Sequence, residues 1–504
     1  MTPPERPPER PPGMLSGAAW VVAWRLCTRL LGLASIVVLA RLMPPAAFGL
    51  VAVAAAFVQL LDAATTIGAE DSLVRAARTD RALLDTAFTL NLLRAAVSAA
   101  LIAALAHPVA AFFGDPAVAP ILLVLAAAAL LDGATNIGII AFRRDMRFDR
   151  EFRLQLGPRL VGVLLTMVLA WLWQDHWALV AGIAVQRALR VAGSYLAHPY
   201  RPRLSLAAWR ELLAFSAWSW ATMMVIQLRD RAETLLVGRA LGAGAVGLYD
   251  TGREIAMLPV TELSEPICRA AYSGFAAARN AGGDPGPGCV RVMATLLLLC
   301  LPAAAGLLMV AAPLVRLALG EAWMGAVPVL QAMAMAAMFT APGMVCSTLL
   351  RAYGLLALGF RVTLASLPPR LAVLLLALPD GGIALAAQGV AAVTVLGRIA
   401  TVMLTFRHFA IRWTALAAET WRSAAATAAM AGVLAAAGLG QDAGQAGGAT
   451  ALALQLALAT AAGAATYGGV LAGLWLLCGR PRGAEADALA WLARQRRRVP
   501  GLCR

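Results

Sequence analysis

The chain has 504 residues, of which 61% are hydrophobic and 14% are charged, and its mean hydropathy is +0.75. Soluble globular proteins are usually about a quarter charged, so this composition excludes a chain that folds mainly in water. The formal net charge of +15 comes from 42 basic residues, all arginine, against 27 acidic ones. These arginines lie between apolar runs or singly inside them, so no nucleic-acid partner is expected.

Long apolar runs dominate the whole chain. A membrane-spanning helix needs about twenty mostly apolar residues, and fourteen segments approach or meet this requirement. They lack the ten-residue alternation of barrel strands. We therefore predict an all-α, polytopic membrane protein of about fourteen transmembrane helices, with twelve as the lower bound. The predicted spans are residues 15–40, 48–69, 84–106, 117–141, 154–173, 177–197, 212–240, 246–267, 291–315, 325–350, 361–378, 382–406, 423–438 and 449–478.

The connectors between these spans alternate in arginine content. Arginines are concentrated in every second connector, for example in residues 143–153 and 201–210. Because positive residues are retained on the cytoplasmic side, the alternation predicts an even number of spans with both termini in the cytoplasm. Residues 1–14 are then a disordered cytoplasmic leader, and residues 479–504 are a basic cytoplasmic tail.

An internal repeat divides the spans into two sets. The stretch from Arg41 to Leu50, after the first span, matches the stretch from Arg239 to Leu248, after the seventh, 198 residues later. A second similarity links residues 107–115 with residues 312–321. Repeats that keep their orientation predict two parallel six-helix lobes related by an axis along the membrane normal. The predicted domains are residues 15–205, the N-terminal lobe; 206–415, the C-terminal lobe; and 416–478, helices 13 and 14.

Several ionisable side chains fall near the middle of predicted spans, where they normally face a cavity or a partner. Guanidinium groups offer paired donors that suit phosphate and carboxylate oxygens. We therefore predict a cation-lined lumen and an anionic cargo. The predicted substrate-binding residues are Arg25, Arg29, Arg94, Arg187, Arg253 and Arg370. The candidates for ion coupling are the carboxylates Asp62, Asp132, Asp230 and Glu233.

Some of these charges also fit structural roles. Arg229 and Glu233 have the spacing of an ion pair along one helix. Arg190 and Arg398 lie near predicted cytoplasmic ends, from which long side chains extend to the membrane surface. The four histidines are scattered and the seven cysteines have no metal-binding spacing, so no catalytic site, metal or cofactor is expected.

Two motifs of the repeat resemble a known family. Residues 40–50 are similar to the signature "aRlLtPedfGl" of the polysaccharide transporter (Wzx/WzxC-like) family, although Ala46 and Ala47 replace its acidic position. Residues 230–249 are similar to the start of that family's second lobe. The resemblance implies a flippase of the MOP (MATE-like) superfamily, which moves an undecaprenyl-diphosphate-linked oligosaccharide across the bacterial inner membrane by alternating access. Its implied partners are lipid-linked oligosaccharide, membrane lipids, and a polysaccharide polymerase with export proteins.

Two other functions remain open. A MATE-like drug or cation antiporter needs buried carboxylates in its N-terminal lobe, and Asp62 and Asp132 keep this reading open. A membrane polysaccharide polymerase is expected to carry a large periplasmic loop with catalytic arginine or histidine. No connector predicted here exceeds about two dozen residues, so the sequence favours a transporter that performs no covalent chemistry.

Overall fold

The computed structural model describes residues 14–66, 73, 80–145, 147–212, 217–440, 448–481 and 483–487. Within these ranges every regular element is a helix, which confirms the predicted fold class. The leader up to residue 13 and the tail beyond residue 487 lie outside the described residues. The side chain of Arg25 also lies outside them, although its backbone belongs to the first helix.

Eight long helices form the first part of the fold. The second begins with a proline at its first position, where the missing N–H group costs nothing. The helical run Ala217–Asn280 is broken at Gly242, whose φ of 80° is readily adopted only by glycine, so its two arms are numbered separately. The helices are α1 (Met14–Leu42), α2 (Pro45–Thr65), α3 (Arg81–Phe113), α4 (Val118–Gly133), α5 (Phe148–Trp173), α6 (Trp177–Ala197), α7 (residues 217–241) and α8 (residues 243–280).

Six long helices follow. The run Leu356–His408 is broken in the same way at Gly382, which has a φ of 60°. The helices are α9 (Gly286–Met309), α10 (Val327–Ala352), α11 (residues 356–381), α12 (residues 383–408), α13 (Trp413–Ala436) and α14 (Ala449–Leu477). Short helical segments occupy Ile137–Ile139, Ile140–Arg144, Trp209–Leu212, Ala311–Ala318 and Glu321–Ala326.

These fourteen helices overlap the fourteen predicted spans one for one. Seven helical runs among the described residues are long and apolar enough to cross a membrane, and one of them, Leu356–His408, contains both α11 and α12. The chain is therefore a polytopic membrane protein. The seven runs are Pro45–Thr65, Arg81–Phe113, Asp149–Trp173, Gly286–Met309, Glu321–Ala352, Leu356–His408 and Ala449–Leu477.

Internal contacts divide the chain into two units, Met1–Gly247 and Leu248–Arg504. In the first unit, α3 packs on α4, α5 packs on α6, and α1 packs on α5. An apolar core of this unit lies between α2, α3, α4 and α6. In the second unit, α10 packs against α9 and against the α11–α12 run, and a core rich in methionine and cysteine lies between them. The predicted lobe boundary at residues 205 and 206 stays a prediction.

Candidate functional site

A polar cavity of about 260 Å³ lies inside the first unit. It is enclosed by α2, α3, α4, α5 and α6, with the short segment 137–142 at one side. A cavity with charged walls inside a membrane-spanning unit is a strong indicator of function, because charges facing lipid cost several kcal/mol. Its charged lining residues are Asp62, Arg94, Asp132, Glu151 and Arg190.

The first charged group joins α2 to α3. Arg94 Nη1 lies 3.6 Å from Asp62 Oδ1, and the same oxygen accepts a 2.8 Å hydrogen bond from Ser98 Oγ. Arg94 Nε also donates to Asn91 Oδ1 at 3.3 Å, one helical turn earlier. Both Asp62 and Arg94 are half-buried, with side chains 33% and 20% exposed. The pair is therefore accessible from the cavity while each charge keeps a partner.

The second charged group joins α4 to α6. Asp132 is shared by two arginines one turn apart: Arg187 Nε lies 3.4 Å from Asp132 Oδ2, and Arg190 Nη2 donates to Asp132 Oδ1. Two guanidinium groups on one carboxylate leave a local excess of positive charge. Since Arg190 points to Asp132, the expectation that it extends to the membrane surface is wrong.

The lining of this cavity differs from the prediction in its balance of charge. Three carboxylates and two guanidinium groups line it, whereas the sequence predicted a cationic lumen. The physical reason is that Arg94 and Arg190 each need a counter-charge, which Asp62 and Asp132 on neighbouring helices supply. Asp62 and Asp132, predicted for ion coupling, thus lie in the same cavity as Arg94, predicted for substrate binding.

The remaining predicted site residues lie elsewhere. Arg29 is half-buried on α1. On α7, Arg229 Nη2 lies 2.8 Å from Asp230 Oδ1, so Arg229 pairs with its neighbour in the chain, and Glu233 is fully buried. In the second unit, Arg253 lies 3.8 Å from Asp250, and Arg370 Nη1 donates to Thr394 Oγ1 at 3.0 Å.

One polar network that sequence reasoning missed lies beside the cavity. Asn136, a lining residue, is fully buried and donates through Nδ2 to the carbonyl oxygen of Tyr200 at 2.7 Å. The Tyr200 hydroxyl donates to Asp85 on α3, and the backbone N–H of Arg203 donates to the same carboxylate at 2.8 Å. These bonds fix the segment that follows α6 across α3. The local signal was the Asx turn, in which Asn136 Oδ1 accepts from the N–H of Gly138.

The same segment has two shifted ionisation equilibria. Burial, together with the charges of Arg150 and Arg201, lowers the pKa of His198, and Asp145 opposes this shift. His198 Nδ1 accepts a hydrogen bond from the N–H of Tyr200 at 3.2 Å, which requires the neutral ring. Burial and the hydrogen bond to Asp85 raise the pKa of Tyr200. Both groups are therefore uncharged in the neutral pH range.

The fold is similar to those of known transporters. The structure of the lipid II flippase MurJ, in an inward closed conformation, matches with a TM-score of 0.74 at 13% identity, covering 91% of this chain and 99% of that chain. An inward-facing multidrug resistance MATE family transporter of the MOP superfamily matches with a TM-score of 0.57 at 15% identity, covering 76% and 94%. At these identities the likeness concerns the fold alone.

Two sequence relatives are described as a lipopolysaccharide biosynthesis protein and a succinoglycan biosynthesis transport protein. The lipopolysaccharide biosynthesis protein WzxC of Escherichia coli (strain K12) is 26% identical over 335 residues, covering 66% of this chain and 68% of the relative. The succinoglycan biosynthesis transport protein ExoT of Rhizobium meliloti (strain 1021) is 24% identical over 314 residues, covering 62% and 63%. The match to ExoT thus spans a little less than two thirds of that relative's length.

A family model described as polysaccharide biosynthesis protein matches residues 38–328, which is more than half of the chain. This range includes both motifs that carried the resemblance, so the predicted family is confirmed. It also includes the whole cavity of the first unit. The chain belongs to the polysaccharide biosynthesis protein family.

Proposed function

We propose that this protein is a flippase that moves an undecaprenyl-diphosphate-linked oligosaccharide, the repeat unit of a surface polysaccharide, between the leaflets of the bacterial inner membrane. Family membership and the transporter-like fold support the proposal. The observation that carries it is the charged cavity inside the first unit. A diphosphate with its sugars needs such a polar environment, because the hydrocarbon core opposes any charged group.

The paired charges suggest how the anionic group is accepted. In the absence of substrate, Asp62 and Asp132 hold the guanidinium groups and offset the cost of burying them. A diphosphate offers paired oxygens as a carboxylate does, and it carries more negative charge. It therefore competes with Asp62 and Asp132 for the guanidinium groups of Arg94, Arg187 and Arg190. Binding therefore exchanges one partner of each arginine for another and leaves no arginine unpaired.

This exchange also gives the carboxylates a role. A carboxylate that loses its arginine inside the unit gains a cation or a proton, because an isolated buried charge is costly. Asp62 and Asp132 are the proposed residues that couple translocation to an ion gradient. Asp230 and Glu233, on α7, remain secondary candidates for this coupling.

We propose that the chain performs no covalent chemistry and uses no cofactor. The predicted lobes, residues 15–205 and 206–415, alternate the access of the cavity between the two sides of the membrane. Both termini lie in the cytoplasm in this proposal, and a polysaccharide polymerase with export proteins acts on the translocated glycan.

The proposal is tested by deleting the gene in its own host. Lipid-linked glycan is then expected to accumulate in the cytoplasmic leaflet while surface polysaccharide disappears, and the intact gene restores both. The Arg94→Gln variant is expected to insert at the normal level yet leave export deficient. Normal surface polysaccharide in the deletion strain would contradict the proposal.

A second candidate function rests on the same cavity. Asp62 and Asp132 are two carboxylates inside the first unit, which is the feature that a proton- or cation-coupled drug antiporter requires. This function predicts that the deletion strain becomes sensitive to cationic dyes and keeps its surface polysaccharide. The two phenotypes are opposite, so a single strain distinguishes the functions.

A further inference from the structure

A second cavity, of about 690 Å³, lies within the second unit between α8, α10, α11 and α12. Three arginines line it, one on each of α8, α10 and α12, and the lining contains one carboxylate. Unlike the cavity of the first unit, its lining therefore has a net positive charge. The four charged residues are Arg269, Arg351, Arg398 and Glu265.

The position of Arg398 depends on a missing side chain. Gly343 on α10 faces α12, and a Cβ atom placed on it would lie 2.6 Å from Arg398 Cδ and 3.4 Å from Arg398 Cβ and Cγ. The arginine stem therefore lies flat on the α10 backbone, in space that only glycine leaves open. Arg398 is also one of the residues that line the cavity, so its side chain packs on α10 at the cavity wall.

The other polar groups of the cavity stand one turn apart on α10. Arg351 Nη2 donates to Thr348 Oγ1 at 3.3 Å. Ser347 and Thr348 both line the cavity, and their hydroxyls donate to the carbonyl oxygens of Gly343 and Met344, each at 2.8 Å. On α8, Arg269 pairs with Glu265 at 3.3 Å, with both side chains more than half exposed. Solvent screens such a pair, so this arginine exchanges its partner readily.

Part of the lining is apolar. Met344 and the ring of Tyr272 belong to it, and so does Leu356 at the start of α11, whose side chain is 50% exposed. An occupant with only ionic groups would leave these surfaces in contact with water. An occupant with an oxyanion at one end and a hydrocarbon chain at the other matches both the charged and the apolar residues of the lining.

We propose that this cavity binds the phosphate or diphosphate group of a lipid, with Arg351 and Arg398 on the oxyanion and Met344 and Leu356 against the hydrocarbon. The inference rests on the proposed function and deepens it, because it places a recognition site for the carrier lipid in the second unit. The sugar-bearing end of the substrate is not placed in this cavity.

The test uses the purified full-length chain in detergent and three soluble probes: farnesyl diphosphate, farnesol and inorganic pyrophosphate. Binding is measured by titration with native mass spectrometry. Farnesyl diphosphate is expected to bind more tightly than either of the other probes. Arg351→Gln and Arg398→Gln are each expected to weaken its binding roughly tenfold, the effect of losing one charge-assisted hydrogen bond.

Arg407→Gln is the matched control, since Arg407 is exposed on α12 outside the cavity, and it is expected to bind as the wild type does. Arg351→Lys and Arg398→Lys keep the positive charge, and they show whether the glutamine variants lose binding only because they unfold. Each lysine variant is expected to retain measurable binding that is weaker than that of the wild type. Equal affinity for pyrophosphate and farnesyl diphosphate would overturn the lipid assignment. Unchanged binding in Arg351→Gln and Arg398→Gln would overturn the site.

The binding test is independent of transport. If the second-unit variants lose the lipid diphosphate while the deletion strain exports glycan normally, the site stands and the proposed function fails. If the deletion strain accumulates lipid-linked glycan while these variants bind as the wild type, the flippase proposal stands and this site fails.

Discussion

Gly49 and Gly247 occupy equivalent positions of the internal repeat, and each lies against the backbone turn that precedes the other. A Cβ atom on Gly49 would lie 1.7 Å from the carbonyl oxygen of Ala243, and one on Gly247 would lie 2.0 Å from that of Pro45. Pro45 and Ala243 are themselves equivalent, 198 residues apart. The starts of α2 and α8 thus make a reciprocal contact, in which the two motifs of the repeat serve each other in the same way.

This reciprocal contact predicts that alanine is not tolerated at either glycine. Gly49→Ala and Gly247→Ala each place a methyl group on a carbonyl oxygen that cannot move without its helix. Overpacking of this kind typically costs about 1–3 kcal/mol, and we expect a lower temperature of thermal unfolding for both variants in detergent.

Gly244 offers a matched control for this prediction. It lies between the two contacting positions of α8, and a Cβ atom on it would meet nothing within 4 Å. Gly244→Ala should unfold at the wild-type temperature or slightly above, because alanine favours the helix. Equal destabilisation by all three substitutions would show that the close approach is not the cause.

A buried ion pair in the second unit predicts a different effect. Arg422 on α13 donates to both oxygens of Glu485, at 2.8 and 3.1 Å, and the two side chains are only 6% and 5% exposed. Removing one member of a buried pair leaves the other charge uncompensated, which typically costs about 3–5 kcal/mol. Glu485→Gln is therefore expected to lower thermal stability strongly, measured by unfolding in detergent.

The neighbouring pair supplies the comparison. Arg291 on α9 lies 2.7 Å from Asp487, whose side chain is 58% exposed. An exposed pair contributes about 1 kcal/mol at most, so Asp487→Asn should have a small effect that high salt removes. Equally mild effects of Glu485→Gln and Asp487→Asn would contradict the stabilising role of the buried pair.

The sequence predicted where the helices lie, but it did not predict which charged side chains pair between helices. Every predicted span contains a helix because about twenty apolar residues are a local requirement of the bilayer. The pairing of Arg94 with Asp62 joins residues on different helices, and helix-to-helix contacts are set by packing that no local pattern encodes. For the same reason the prediction that Arg190 extends to the membrane surface is wrong, because Asp132 on α4 is its partner.

Local periodicity likewise misses side-chain contacts between chain neighbours and contacts made by non-helical segments. The spacing of Arg229 and Glu233 suggested a pair along α7, yet Arg229 has a 2.8 Å contact with its neighbour Asp230. The segment after α6 carried no apolar pattern at all, and its fixed position depends on buried hydrogen bonds from Asn136 and to Asp85. Such bonds become visible only when the helices are in place.

His198 predicts a pH dependence of stability. Its pKa in the folded protein is lowered by burial and by Arg150 and Arg201, whereas in the unfolded chain it is about 6.5. Below that value the unfolded chain binds more protons than the folded one. The contribution to stability is therefore complete above about pH 6.5 and is lost as the pH falls toward the folded pKa, with a slope of at most about 1.4 kcal/mol per pH unit.

Thermal unfolding of the wild type and His198→Gln across pH 5 to 8 checks this dependence. The difference in stability between the two proteins should shrink on acidification, because glutamine does not titrate. A difference that grows below pH 6.5 would mean that the folded protein favours the charged ring, which contradicts the cause given for the shift.

We propose that the cavity of the first unit carries a lipid-linked diphosphate across the membrane, and a translocation assay in proteoliposomes measures this step itself. The vesicles contain the purified chain and a fluorescent undecaprenyl-diphosphate-linked oligosaccharide, and the fraction that reaches the outer leaflet is measured with a membrane-impermeant quencher. We predict translocation by the wild type and a loss of roughly tenfold or more in Arg94→Gln, which removes one charge-assisted contact to the diphosphate. Translocation no faster than in protein-free vesicles, or equal rates for the wild type and Arg94→Gln, would contradict this role of the cavity.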